Sequence, residues 1–197
     1  LVTGVQTCAL PISTRSGLLS SPMRDRFGLH CRLELYTEKE IKEILKRSAR
    51  ILKVEMTEDA AGILSSRCRG TPRIANRVLR RCRDVAQVRG NGIIDKTSAE
   101  KTLEMLGIDA DGLDPMDRKI LSIMIDKFNG RPVGINTLGA ALNEEQNTLE
   151  EVYEPYLIQK GFLSRTPRGR MVTPAAYRKL ERPFPKNQQY EQTEIEF

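Results

Sequence analysis

Residues 162–172 read Phe-Leu-Ser-Arg-Thr-Pro-Arg-Gly-Arg-Met-Val, and this stretch decides how the second half of the chain folds. Two short apolar runs, 162–163 and 171–172, flank a segment whose proline and glycine oppose a helix. Such a pattern predicts a β-hairpin. Three guanidinium groups lie on this segment, and each planar fork can donate two hydrogen bonds to one anionic group. The hairpin is therefore a candidate phosphate clamp.

The residues before the hairpin indicate a helix, a short strand and two more helices. Asp114-Pro115 is a helix start, and Asn129-Gly130 is a helix stop. The predicted elements are a helix from 115 to 128, a strand at 133–135, helices near 137–142 and 146–159, and a short helix after Pro174. With the hairpin, this is the winged-helix order. We therefore expect a winged-helix domain over residues 109–182 and a flexible tail over residues 183–197.

The preceding segment is typical of a small all-α domain. Four helix starts follow one another, each with a capping residue or an N-terminal proline. These starts are Thr37 with Glu40, Thr57, Thr71 with Pro72, and Thr97 with Glu100. The acidic residues 108–114 that come next are expected to be a linker. The sequence thus predicts a mainly α chain, with a helical bundle over residues 36–108.

Composition limits the class of protein and the class of partner. The chain has 197 residues, 39% hydrophobic and 29% charged, with a net charge of +6. That charge favours acidic partners such as nucleic acid. No apolar run is long enough to span a membrane. Four scattered cysteines and a single histidine give no zinc spacing, so we expect no metal site and a reducing, cytoplasmic location.

Two charge patterns bear on how nucleic acid would be bound. The predicted helix before the hairpin carries Glu150, Glu151 and Glu154 and should be repelled by phosphates. The hairpin must then supply the contact, and base readout should be weak, because phosphate contacts specify no sequence. The arginine-rich residues 67–89 could suggest a second DNA site. Their arginines spread over several helix faces, so a solvated or protein-interface surface is the better interpretation.

Five stretches of the sequence together closely resemble the RuvB family. They are LLSSPMRDRFG (18–28), RGTPRIANR (69–77), MDRK (116–119), EPYL (154–157) and RTPRGR (165–170). RuvB proteins are bacterial AAA+ motors that drive Holliday junction branch migration in recombination and repair. The resemblance extends from about residue 14 to residue 180. It implies an AAA+ small helical lid followed by a winged helix, with residues 13–35 as a remnant of the large α/β ATPase domain.

The resemblance also implies roles around a nucleotide. Arg26 corresponds to the arginine finger, which stabilises phosphoryl charge on ATP bound by a neighbouring subunit. Arg24, two residues away, could exchange roles with it. Arg73 corresponds to the second sensor, a contact to the nucleotide of its own subunit, and its place at a helix N-terminus favours anions. Tyr36 corresponds to the residue beside the adenine. The implied cofactor is ATP or ADP with Mg²⁺.

For DNA and protein partners the resemblance makes further assignments. Arg165 and Arg170 correspond to the DNA contacts, and Arg168 is a third candidate. The implied DNA is a Holliday junction and its duplex arms, bound without regard to sequence. The implied protein partners are RuvA and further copies of the full-length protein in a homo-hexamer.

The sequence lacks the parts that ATP hydrolysis requires. It contains no GxxxxGK[ST] phosphate loop and no apolar run ending in a DExx-type acidic pair. We therefore expect a C-terminal part of a RuvB protein that binds and hydrolyses no ATP alone, with the ATPase domain and its RuvA surface upstream. Residues 1–12 resemble translated sequencing-adapter read-through, and we expect them to be an artefact of the gene model.

Two other interpretations stay open at this stage. A stand-alone winged-helix DNA-binding protein, such as a regulator, predicts a basic recognition helix and no arginine-finger motif. Another AAA+ protein with a winged helix, such as an Orc-type replication initiator, predicts no continuous resemblance through the hairpin. Both expectations disagree with the stretches quoted above.

Overall fold

The computed structural model describes residues 35–185, which are mainly α-helical. Its elements are α1 (Glu38–Ile51), β1 (Glu55–Met56), α2 (Glu58–Arg67), α3 (Pro72–Arg89), β2 (Ile93–Ile94), α4 (Lys96–Met105), α5 (Pro115–Asp126), α6 (Ile135–Leu142), α7 (Gln146–Thr148), a π-helical turn (Leu149–Tyr153), α8 (Glu154–Gln159), β3 (Leu163–Thr166), β4 (Gly169–Val172) and α9 (Pro174–Lys179). Among them, no helix has the length and apolar character needed to cross a membrane. Arg24, Arg26, the suspected artefact and the ATPase remnant up to residue 34 lie outside the described residues.

Local capping chemistry explains where the first two helices begin. The Thr37 hydroxyl accepts a hydrogen bond from the Glu40 amide at 3.3 Å, and the Glu40 carboxylate accepts one from the Thr37 amide at 2.8 Å. This reciprocal pair is the predicted capping box of α1. Thr57 likewise accepts from the Ala60 amide at 3.2 Å and begins α2. Both predicted helix starts are confirmed.

Of the other two helix starts, the one at Thr71-Pro72 is confirmed and the one at Thr97 is wrong. α4 is capped by Asp95, whose carboxylate accepts from the Ser98 amide at 2.8 Å. The predicted start at Thr97 is wrong because the chain passes from β2 directly into the helix. Thr71 lies at the expected N-cap position of α3, yet its hydroxyl donates to the Arg69 carbonyl at 3.2 Å and caps no amide.

Four helices and a two-stranded sheet enclose the core of this domain. β1 and β2 pair in parallel, with Glu55 opposite Ile93 and Met56 opposite Ile94. This sheet is not predictable from the sequence, because strands of two residues show no alternating pattern. Each large aliphatic side chain buried here contributes about 1.5–3 kcal/mol. The fully buried ones include Ile41, Leu45, Leu64, Val78, Leu79, Ile94 and Leu103.

The second domain begins at a strongly capped helix. The Asp114 carboxylate accepts from the amides of Met116 at 2.8 Å and Asp117 at 2.9 Å. Asp117 returns the contact by accepting from the Asp114 amide at 2.8 Å. Helix α5 therefore starts at Pro115, as predicted. Its buried face packs in a core with residues of the later helices and the hairpin, among them Leu121, Met124, Leu149, Leu157 and Val172.

The predicted strand at 133–135 is reduced to one bridge. Val133 exchanges two backbone hydrogen bonds with Arg170, each 2.8 Å long. Gly134 then serves as the N-cap of α6, so Ile135 is already helical. The hairpin thus gains a third, single-residue strand at its β4 edge.

The predicted helix at 146–159 exists but is interrupted. The π-helical turn lies between α7 and α8 and ends two residues before Pro155. Proline has no N–H to donate to the carbonyl four residues earlier, here that of Glu151, and this gap in the ladder explains the change of pitch.

Residues 108–114 form the predicted linker between the two domains, and the linker is ordered by hydrogen bonds of its own. The Asp109 carboxylate accepts hydrogen bonds from the amides of Asp111 and Leu113, both at 2.9 Å. Leu113 is fully buried in the core of the second domain. The Asp109 side chain thus closes a tight turn, and Leu113 anchors the end of the linker in the second domain.

Candidate nucleic-acid interface and nucleotide-sensing segment

The predicted hairpin is present, and its pairing sets the positions of its arginines. Arg165 pairs with Arg170 across β3 and β4, and Thr166 pairs with Gly169. Only Arg168 lies in the turn, where it is exposed. Arg165 and Arg170 lie on the strands, in the residue pair next to Thr166 and Gly169. Of the three arginines of the predicted clamp, the register therefore leaves one in the turn and two on the strands.

Gly169 is required at the turn for a geometric reason. Its φ is +131°, and a Cβ at this position would lie 2.5 Å from the Val133 carbonyl oxygen. A residue with a Cβ would clash with that oxygen, so only glycine allows β4 to pair with Val133. The Thr166 hydroxyl donates to the Gly169 carbonyl at 2.7 Å and closes the turn.

The two strand arginines converge on one buried carboxylate. Arg165 Nε donates to Glu154 Oε1 at 2.5 Å, and Arg170 Nε donates to the same oxygen at 3.2 Å. Arg170 Nη2 contacts Glu154 Oε2 at 3.3 Å and Glu150 Oε1 at 2.6 Å. The Glu154 side chain is only 3% exposed. The acidic helical segment 146–159 therefore holds the arginines of the hairpin 163–172, the wing of this fold. The expectation of simple phosphate repulsion overlooked this contact.

The charges in this network support one another. Burial raises the pKa of Glu154, but hydrogen bonds and charge from Arg165 and Arg170 outweigh it, so the pKa is below its ordinary value. The hydrogen bond to Glu154 likewise raises the pKa of the Arg165 guanidinium. Arg165 is 56% exposed and Arg170 is 17% exposed. A phosphate can therefore reach Arg165 and Arg168 directly, whereas Arg170 is largely occupied by its two glutamates.

On the helical domain, the structure brings two of the predicted nucleotide residues near one another. The Tyr36 amide donates to the Gly70 carbonyl at 2.9 Å, and Gly70 lies three residues before Arg73. Gly70 has a φ of +60°, and a Cβ there would lie 2.6 Å from the Tyr36 carbonyl oxygen. Tyr36 and Arg73 both have exposed side chains. Arg73 occupies the second position of α3, beside backbone amides that can receive an anion.

One arginine of the 67–89 segment lies neither in solvent nor at an interface with another chain, the two expectations for this segment, but packs within the chain. Arg69 forms ion pairs with Asp117 and Asp114 of the second domain. The contact between Arg69 and Asp117 was not predicted from the sequence, because it joins residues 48 positions apart. The sequence shows Arg69 and the two capping carboxylates of α5, Asp114 and Asp117, but it does not show that they lie side by side.

The described cysteines are buried thiols. Burial raises the pKa of Cys68 to about 12 and that of Cys82 to about 11. Both are free. Within residues 35–185, no group of three or more His, Cys, Asp or Glu side chains is arranged to hold a metal ion.

Comparison with known proteins identifies both domains. Residues 36–109 match the family model described as the RuvB AAA lid domain, and residues 110–181 match the RuvB C-terminal winged helix domain. The first of these contains Tyr36, Arg69 and Arg73, and the second contains the wing.

Curated relatives and solved structures agree with the family models. A Holliday junction branch migration complex subunit RuvB from Koribacter versatilis is 57% identical over 176 residues, covering 89% of this chain and 49% of the relative. The subunit of the same name from Fusobacterium nucleatum is 55% identical over 170 residues, covering 86% and 51%. The Thermotoga maritima RuvB Holliday junction branch migration motor superposes with a TM-score of 0.84 at 53% identity, covering 87% of this chain and 57% of that structure.

The chain spans about half the length of the curated relatives that it matches. A stand-alone regulator or an Orc-type initiator would not match a RuvB lid and a RuvB winged helix in succession. From these matches and the superposition, we conclude that the chain belongs to the RuvB family.

Proposed function

We propose that this chain is the DNA-binding and nucleotide-sensing part of an ATP-driven motor that moves Holliday junctions in recombination and repair. The observation that supports DNA binding most directly is the wing, where Glu154 orients two arginines on adjacent strands. Arg165 and Arg168 contact phosphates from the exposed side of the hairpin, and Arg170 adds a contact when a phosphate competes with Glu150. Binding of this kind follows the DNA backbone and is indifferent to sequence.

The nucleotide roles in this proposal belong to the full-length protein. Arg73 contacts the nucleotide phosphates of its own subunit, Tyr36 packs beside the adenine, and Arg26 with Arg24 reaches the nucleotide of a neighbour. An exposed arginine beside free helix amides is a suitable phosphate ligand. ATP with Mg²⁺ supplies the energy for movement when bound, whereas this chain, without a phosphate loop, hydrolyses none alone. In this proposal the full-length protein binds RuvA, assembles as a homo-hexamer and works in the cytoplasm.

Direct titration tests the DNA-binding part. Purified chain is titrated into fluorescent four-way and duplex DNA of three unrelated sequences. We expect dissociation constants that agree within about twofold between sequences, since contacts to phosphate carry no base information. A preference of tenfold or more for one sequence, or no binding at low salt, would contradict the proposal. Arg80 is an exposed arginine on α3, away from the wing. Arg80→Ala is therefore the matched control for substitutions that remove one positive charge from the wing.

The role of Glu150 separates this proposal from recognition by the helix. Glu150→Gln removes the carboxylate that competes with phosphate for Arg170, so DNA affinity should rise by about 0.5–1 kcal/mol, the scale of a partly exposed ion pair. Glu151→Gln, at an exposed neighbouring position, is the control and should change affinity less. If Glu150→Gln weakens binding or creates a preference among sequences, the helix reads the DNA and the wing model is wrong.

A further inference from the structure

The two domains meet at an arginine that the proposed function does not yet use. Arg69 follows α2 and has a φ of +55°, in the left-handed region that few arginines adopt. Its side chain is 10% exposed. The guanidinium pairs with the Asp117 carboxylate, lies 3.1 Å from Asp114 Oδ2, and donates from Nε to the Gly112 carbonyl at 3.1 Å. One side chain of the lid thus binds three residues of the next domain.

Asp117 receives this arginine from a fully buried position. It is the third residue of α5, and the oxygen that pairs with Arg69 also accepts from the Asp114 amide at 2.8 Å. The same carboxylate therefore fixes the start of α5 and the position of the lid. Its other oxygen, Oδ1, has no hydrogen-bond partner among the described residues. The contact depends on the two-pronged geometry of arginine, which lysine cannot reproduce.

A third contact connects this junction to the wing. The Arg69 guanidinium lies over the Tyr156 ring, 4.6 Å from its centroid. The Tyr156 hydroxyl donates to the Asp111 carbonyl at 2.6 Å. Tyr156 belongs to α8, two residues after Glu154, the carboxylate that orients Arg165 and Arg170. Packed groups therefore join the start of α3 to the wing arginines without a break.

We propose that Arg69 is a positioning residue that couples the N-terminus of α3, where Arg73 lies, to the DNA-binding wing through Asp117 and Tyr156. This inference rests on the proposed function for its two end points, the nucleotide at Arg73 and the DNA at the wing. Arg69 is four residues before Arg73, and only the N-cap turn separates them. A shift of α3 when nucleotide is sensed would move Arg69, and with it α5 and α8, as one body.

The first test needs neither DNA nor ATP. Scanning calorimetry of the whole chain should give one transition in which the two domains unfold together. Arg69→Lys, which keeps the charge and loses the fork, should separate this into two transitions, and Asp117→Asn should do the same from the other domain. Arg80→Lys, the matched control, should keep one transition. A single transition that only moves to lower temperature in both junction variants would show plain stabilisation and overturn the coupling.

The second test measures coupling to DNA. Hydrogen exchange of the amides of residues 75–79 in α3 is followed with and without saturating duplex DNA. We expect DNA to slow this exchange at least threefold in the wild-type chain and not in Arg69→Lys, while both bind DNA within twofold of each other. Equal slowing in both proteins would overturn the inference. If the wild-type chain binds no DNA, the proposed function fails, and calorimetry alone decides whether Arg69 couples the domains.

Discussion

Glu154→Gln is the substitution that probes the wing network most directly. It removes one carboxylate charge and weakens three hydrogen bonds from Arg165 and Arg170. Hydrogen bonds to charged groups are worth about 1.5–3 kcal/mol each, and breaking a fully buried ion pair costs about 3–5 kcal/mol. Here Arg165 can turn to solvent and Arg170 keeps Glu150. The loss in free energy of unfolding should therefore be about 2 kcal/mol.

Urea denaturation at pH 7 measures this loss, with Glu151→Gln as an exposed control expected within about 0.5 kcal/mol of wild type. The pH dependence adds a second check. Because the pKa of Glu154 is lowered in the folded chain, its contribution is present above the ordinary value of 4.5 and is lost as pH falls through the folded pKa. The difference between wild type and Glu154→Gln should shrink as pH falls below 4.5. A loss no larger than that of Glu151→Gln, or one that persists in acid, would refute the reasoning.

Two further substitutions test the junction by urea denaturation. Burial raises the pKa of Asp117 to about 6, against the lowering effect of Arg69. The folded chain therefore binds the Asp117 proton more tightly than the unfolded chain does. The contribution of this proton to the free energy of unfolding is full below pH 3.8 and is lost as pH rises through 6. Asp117→Asn should flatten stability between pH 4 and 7, and an unaltered profile would contradict this. Gly112→Ala places a Cβ 2.6 Å from the Tyr156 hydroxyl at a φ of +75° and should lower the free energy of unfolding by about 1–3 kcal/mol. The control Gly62→Ala lies in open space on α2 and should raise it by about 0.5–1 kcal/mol. Equal effects of the two substitutions would refute the close approach at Gly112.

Sequence reasoning succeeded where the determining chemistry is local. The capping box at Thr37 and the start at Asp114-Pro115 each depend on atoms within three residues, and the hairpin depends on its proline and glycine. These features predicted the helical domain and the order of the winged helix. The start of α4 was misplaced because Asp95 and Thr97 are both competent caps, and the choice depends on where β2 ends.

What the sequence could not supply is contact between distant residues. The β1 and β2 strands meet across 38 positions, and Arg69 meets Asp117 across 48. The glutamates before the wing were interpreted as repelling DNA. That Glu150 and Glu154 pair with Arg170 is visible only in the fold, which brings these residues into reach. The local charge count was correct, but it did not show that two of these carboxylates hold the arginines of the wing in place.

The salt dependence of DNA binding tests the central claim, that the wing arginines bind phosphate. Each phosphate contact contributes a slope of about −0.9 in log affinity against log salt concentration. Arg165 is more suitable for substitution than Arg170, since it is the more exposed of the two. We predict that Arg165→Ala flattens the slope by about one unit and weakens duplexes of all sequences alike, whereas Arg80→Ala leaves the slope unchanged. A slope for Arg165→Ala equal to that of wild type would contradict the account.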